Sequence, residues 1–163
     1  MKEQRMELKE ARFIADIVVV ALKPYCDKIE IAGSIRRLKE TIGDIDIVVI
    51  AKDRWNMDLT LMRMGNYERS GPKIGRIDMV EKKTQLDIYY ADEQTWATLL
   101  LIRTGSIKNN IRLATLAKKK GWRLAASGDG LFDEEGVRIA GESERSIYEA
   151  LGLPYQEPWE REC

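Results

Sequence analysis

The chain contains no histidine among its 163 residues. That removes Ser-His-Asp triads, Cys-His pairs and His-ligated zinc from the chemistry it can carry. Its two cysteines, Cys26 and Cys163, are too few for a disulfide framework and favour a reducing, cytoplasmic setting over a secreted one. No stretch reads as a signal peptide. The longest apolar run, Ile17 to Leu22, is far shorter than the roughly 20 residues that span a bilayer, so no membrane partner is expected. Lys and Arg balance Asp and Glu at 27 each, so the chain as a whole has no electrostatic pull on nucleic acid. Any such attraction must come from local patches. With only four prolines and no low-complexity tract, the composition is that of one large domain or two small lobes.

What is present centres on residues 31–50, Ile-Ala-Gly-Ser-Ile-Arg-Arg-Leu-Lys-Glu-Thr-Ile-Gly-Asp-Ile-Asp-Ile-Val-Val-Ile. A strand ends at Gly33-Ser34, a basic turn follows, and a second strand is predicted over 44–50. Strand side chains alternate between faces, so Asp44 and Asp46 point one way while Ile45, Ile47 and Val49 point the other. Two carboxylates on one sheet face repel each other, and a hard divalent cation is the usual remedy. Gly33 permits close approach of backbone N–H groups, Ser34 adds a hydroxyl, and Arg36 and Arg37 offer forked donors for phosphate oxygens. Metal-binding carboxylates beside phosphate donors read as a nucleoside triphosphate site. The plainer reading is a strand, a polar turn and a strand with two surface aspartates.

Elsewhere, Leu8 to Leu22 has helical periodicity, with Ala11, Ile14, Ala15, Val18 and Leu22 on one stripe and Lys23-Pro24 at its end. Residues 29–32 read as a strand. Residues 52–71 read as a polar segment with a short helical or irregular patch, its methionines filling core. Strands are predicted over 74–80 and 84–90. Asp87 sits in the second, between Leu86 and Ile88, which places it on the open face and beside the Asp44 and Asp46 strand as the third carboxylate of a metal cluster. Helices are predicted over 94–103 and 107–120, with Thr104-Gly105-Ser106 between them and Gly121 as the stop. Lys118, Lys119 and Lys120 complement the second helix's dipole, or form a phosphate-backbone patch with Lys108, Arg112 and Arg123. Short strands at 123–124 and 131–132 and a helix over 143–151 complete the chain.

Gly33-Ser34 followed by Asp44-Ile-Asp46 resembles the signature of the polymerase-beta type of nucleotidyltransferase, and the longer string from Gly33 to Asp46 is similar to family X DNA polymerases. Thr104-Gly105-Ser106, Gly130-Leu131-Phe132 and the run from Tyr148 to Tyr155 resemble that family's thumb. The likeness implies an α+β fold: a nucleotidyltransferase palm over 1–90, a mixed sheet flanked by helices, then a small α+β thumb over 91–163. It implies that Asp44 and Asp46 bridge two Mg²⁺ ions, with Mn²⁺ as a substitute, and that Asp87 binds the catalytic ion and orients the primer 3′-hydroxyl. Gly33, Ser34, Arg37, Gly43 and Arg5 would hold the triphosphate, and Asn110 would touch the minor-groove edge of the nascent pair. Thr104, Gly105, Ser106, Lys108, Arg112 and Lys118 are the candidate DNA contacts. Two departures stand out: Ile102-Arg103 where the family places an aromatic pair, and Gln85 where many members have an arginine before the third aspartate.

The expected function is a monomeric, template-directed DNA polymerase that takes deoxynucleoside triphosphates and gapped or primer-template DNA in short-gap repair. The alternative is a template-independent nucleotidyltransferase acting on DNA ends or a small molecule. The minimal form resembles the reduced polymerases of some large viruses, which extends the expected location to a host-cell interior.

Overall fold

A computed structural model of the chain describes residues 4–162, so Cys163 lies outside the described residues. A short strand β1 (Met6–Glu7) leads into α1 (Leu8–Leu22), which buries the five residues of its predicted stripe. Pro24, in a 3₁₀ turn over Lys23–Tyr25, ends it. Then come β2 (Cys26–Ile31), a one-turn helix α2 (Gly33–Arg36), β3 (Thr41–Ile42) and β4 (Ile45–Ala51). Helix α3 (Arg54–Met64), capped by the Asp53 side chain, precedes β5 (Asn66–Ser70), β6 (Ile74–Met79) and β7 (Thr84–Tyr90). Five of these strands form one sheet in the order β2-β4-β7-β6-β5, while β1 pairs separately with β3. Only β4 and β7 run parallel, because α3 and the β5–β6 hairpin intervene between them; the sheet is therefore mixed.

The two faces of this sheet have different jobs. Ile45, Ile47 and Val49 of β4, with Leu86 and Ile88 of β7, pack against α1 and against Met57 and Leu61 of α3. On the opposite face Val48 and Tyr89 meet Leu99 and Leu100 of α4 (Trp96–Thr104). Asp46 and Asp87 share that second face, so α4 closes over the sheet next to the carboxylates.

The remainder folds around its own core of Leu101, Leu113, Ala117, Leu131, Ile147 and Tyr148. It comprises α5 (Ile107–Lys119), capped by Ser106, strands β8 (Arg123–Leu124), β9 (Leu131–Phe132) and β10 (Arg138–Ala140) in the order β10-β9-β8, and α6 (Glu144–Ala150), capped by Ser143. The architecture is α+β throughout, as expected.

Several local expectations are corrected. Asp44 lies in the bend just before β4 rather than in the strand. Gly33 and Ser34 open a helical turn instead of closing a strand. Residues 66–70 form an edge strand that no apolar alternation announced, since Asn-Tyr-Glu-Arg-Ser is almost wholly exposed. Of the methionines in the polar segment, Met57 is core and Met64 packs against it, while Met62 is exposed.

Candidate active site

The site begins with a register. Parallel pairing of β4 with β7 sets Asp46 directly beside Asp87. The floor of an open cavity of about 470 Å³ includes Asp44 and Asp46, and its walls include Gly33, Ser34, Arg37, Gly43, Arg5, Ile102, Arg103, Thr104, Gly105 and Asn110. Gly33, Ser34, Arg37, Gly43, Arg5 and Asn110 therefore reach one cavity, whereas Arg36 does not line it.

Gly33 explains how the wall comes so close to the floor. Its φ is +59°, and a Cβ built on it would lie 2.2 Å from Asp46 Oδ2. No side chain fits there, and the backbone at the start of α2 stands against the carboxylate.

The charges are crowded. Burial, then the neighbouring Asp87, and to a smaller degree Asp44, push the Asp46 carboxyl up to about 7, against a lowering hydrogen bond from Tyr89. That Tyr89 hydroxyl donates to Asp46 Oδ1 at 3.3 Å, and the Arg103 guanidinium lies 4.2 Å above the Tyr89 ring. An aromatic partner for this region thus comes from the sheet rather than from the residues before Thr104.

Asp87 is engaged differently. It does not line the cavity. Its side chain is 5% exposed, and Arg76 of β6 donates from Nε to Oδ1 at 2.9 Å and from Nη2 to Oδ2 at 3.4 Å. Gln85 donates to both oxygens, at 3.3 and 3.2 Å. Among the described residues no set of three acidic, cysteine or histidine side chains is gathered closely enough to grip an ion as it stands. The expected three-carboxylate cluster is thus a neighbourhood and not a ready-made cage. The reason is electrostatic: mutually repelling carboxylates take the nearest positive partner, and for Asp87 that partner is Arg76. The donor set still suits magnesium, being hard carboxylate oxygens on the floor of a cavity whose walls carry Ser34, Arg5 and Arg37.

The other expected residues are placed as follows. Arg5 donates to Thr41 Oγ1 and to its carbonyl, at 3.0 and 2.8 Å, which holds it at the cavity rim. Arg37 donates to the Thr104 carbonyl at 2.6 Å and to Glu162 at 2.8 Å. Asn110 donates to the Ile102 carbonyl at 2.8 Å, and its Oδ1 is buried without a hydrogen-bond partner. Arg36, read as a phosphate donor, is instead held by Glu144 and Thr104. Thr104 is buried, and the Ser106 hydroxyl, just after a cis Gly105–Ser106 peptide bond, caps α5 by accepting from the Asn109 N–H. Lys108 and Lys118 are exposed on α5, whereas Arg112 is bonded to Asn109 and Gln156.

Arg76 and Glu162 were not flagged by the sequence. Arg76 had a signal, a charge inside a strand run, which is the same argument that singled out Asp87. Glu162 had none.

The family model for the DNA polymerase beta thumb matches residues 99–162. Over 135 residues, 80% of this chain and 24% of the relative, the chain is 30% identical to the DNA polymerase/3′-5′ exonuclease PolX of Bacillus subtilis. It is 29% identical to DNA polymerase lambda of Rattus norvegicus, over 97% of this chain and 33% of that protein. It is 28% identical to the repair DNA polymerase X of African swine fever virus, over 79% of this chain and 78% of the viral protein. The chain thus spans a quarter to a third of the first two relatives and most of the third. Thumb match, whole-chain likeness and the Gly33-Ser34 and Asp44-Ile-Asp46 signature agree, and together they support a family X DNA polymerase.

Proposed function

We propose that the chain is a template-directed DNA polymerase that adds deoxynucleotides to a primer 3′-hydroxyl and fills short gaps in DNA repair, acting as a monomer inside the cell. The observation that supports this most is the in-register pairing of Asp46 with Asp87, beside a cavity whose wall carries Ser34 and Arg37. Residues 1–90 serve as palm and residues 91–163 as thumb.

In this reading Asp44, Asp46 and Asp87 are the residues that would hold magnesium, which would supply charge neutralisation for the phosphoryl transfer. The chain itself supplies placement. Ser34, Arg37, Arg5 and the backbone at Gly33 and Gly43 receive the triphosphate oxygens, with guanidinium forks matching phosphate geometry. Asp87 orients the primer hydroxyl. Asn110 faces the base-pair edge, and Thr104 to Ser106 with Lys108, Arg112 and Lys118 take the DNA backbone. Positioning and electrostatics supply most of the acceleration in this chemistry, so each misplaced group is costly.

Primer extension on gapped DNA, open template and bare primer, with Mg²⁺ or Mn²⁺, is the test. Template-matched insertion on the gapped substrate is expected, and Asp87→Asn should lower it by about 10²–10³ while leaving the fold intact. Equal use of all four nucleotides on bare primer would favour the template-independent alternative. Absence of metal-dependent incorporation on any primer would make the chain a binding module.

A further inference from the structure

We infer that Arg76 is a positioning residue for the reaction, acting through Asp87 by fixing the plane of its carboxylate; this rests on the polymerase reading of the site. The sheet dictates the contact. Arg76 and Asp87 are directly opposed on the antiparallel β6–β7 pair, so their side chains leave the same face within reach of each other. The guanidinium uses two of its donors, Nε on one carboxylate oxygen and Nη2 on the other. Gln85, two residues before Asp87 and hence on the same face, donates to both oxygens as well.

A carboxylate on a strand ordinarily swings about its terminal torsion, which is broad and roughly two-fold. Here both oxygens are met from two sides, and that torsion is held. The carboxylate is almost fully buried, whereas Arg76 is 43% exposed. The exposed partner therefore stabilises the fold only modestly. What it determines is where a buried acceptor points, next to Asp46. The guanidinium also places a fixed positive charge beside Asp87 and, more weakly, near Asp44. Losing it should leave Asp87 present but loosely aimed, which affects turnover more than nucleotide capture.

Single-nucleotide insertion kinetics on gapped DNA test this with Arg76→Ala, Arg76→Lys, Asp87→Asn and the double variant Arg76→Ala/Asp87→Asn. Arg76→Ala should lower kcat about ten-fold or more with the nucleotide KM within about two-fold. Arg76→Lys, which keeps the charge but not the fork, should recover part of the loss. In the Asp87→Asn background the arginine's removal should have no further effect, because it has nothing left to aim. Melting of the metal-free proteins provides a readout apart from catalysis. Arg76→Ala should lower Tm by about 3 °C in the parent and by less in the Asp87→Asn background. A variant that matches the parent's kcat, or a double variant that loses the factor again, overturns the positioning role alone. A parent chain that extends no primer overturns the polymerase reading and this role with it.

Discussion

The guanidinium of Arg37, which lines the cavity, is bonded to the carboxylate of Glu162, Nε to Oε1 at 2.8 Å, while Lys39 approaches the other oxygen at 3.3 Å. Burial alone would raise the Glu162 carboxyl, but hydrogen bonds from Arg37 and Lys39 outweigh it and hold the group below its ordinary value. An anion from the far end of the described chain thus occupies Arg37, and under the proposed function a triphosphate would compete with it.

Glu162→Gln should therefore tighten triphosphate binding. The contact is partly exposed, so its worth is about 0.5–1 kcal/mol, which corresponds to a two- to five-fold drop in Kd. Calorimetric titration with a non-hydrolysable deoxynucleotide analogue measures it directly. Unchanged or weaker binding would show that Arg37 does not meet the phosphates.

Glu144 has a different role, joining the two halves. It accepts from Arg36 at 2.7 and 3.1 Å and from Arg161 at 2.6 Å, and Arg161 is 0% exposed. Replacing it with glutamine leaves two guanidinium groups short of a counter-charge, one of them fully buried. Breaking such a buried pair costs about 3–5 kcal/mol. Glu144→Gln should lower Tm by roughly 6–20 °C, given about 2–4 °C per kcal/mol at this size. Glu142→Gln, on a 70% exposed carboxylate 3.5 Å from Arg138, should change it hardly at all. Equal Tm values for the two variants would remove Glu144 from this role.

Gly33→Ala tests the close approach of wall to floor. An alanine at φ +59° carries about 1–2 kcal/mol of backbone strain. Its Cβ would also meet Asp46 Oδ2 at 2.2 Å, so one of the two must move. Under the proposed function, displacement of the Asp46 carboxylate by even an ångström should cost about 10² in insertion rate. An alanine variant inserting nucleotides at the parental rate would mean that the contact is not needed.

How much of this could be read beforehand depends on distance along the chain. Helix α1, strands β6 and β7 and helices α5 and α6 follow from local periodicity and breaker residues, and each lies within two residues of its expected bounds. Asp46 and Asp87 were legible because an aspartate inside an apolar strand needs a reason. Strand β5 was not, since a polar edge strand carries no alternation. The partners of the arginines were the least legible of all. Arg36 and Arg37 look alike in sequence, yet Glu144 takes the first from 108 residues away and Glu162 the second from 125. Only the packing of α6 and the C-terminal turn against α2 separates a structural arginine from a site arginine. Arg76 falls between these cases. Its partner is 11 residues away, but finding it requires the register of the β6–β7 hairpin.

That same crowding of carboxylates makes a prediction about pH. The Asp46 carboxyl sits at about 7 in the folded chain because burial and Asp87 disfavour its charge, whereas in the unfolded chain it titrates near its ordinary 3.8. A raised acid favours folding when protonated. Its contribution is fully present below the unfolded value, and it is lost as pH rises through about 7. At pH 9 the ionised group costs the metal-free fold up to about 4 kcal/mol. Asp46→Asn mimics the protonated state at every pH. In urea unfolding with EDTA its advantage over the parent should be negligible below about pH 4, grow between about pH 4 and 7, and level off at several kcal/mol above that. Excess Mg²⁺ should narrow the gap, since a cation at Asp44 and Asp46 relieves the repulsion and binds only the folded parent. The variant should also insert nucleotides about 10²–10³-fold more slowly, more stable and less active for one and the same reason. A stability difference that does not change with pH would show that Asp46 is not held in a charge-disfavouring site.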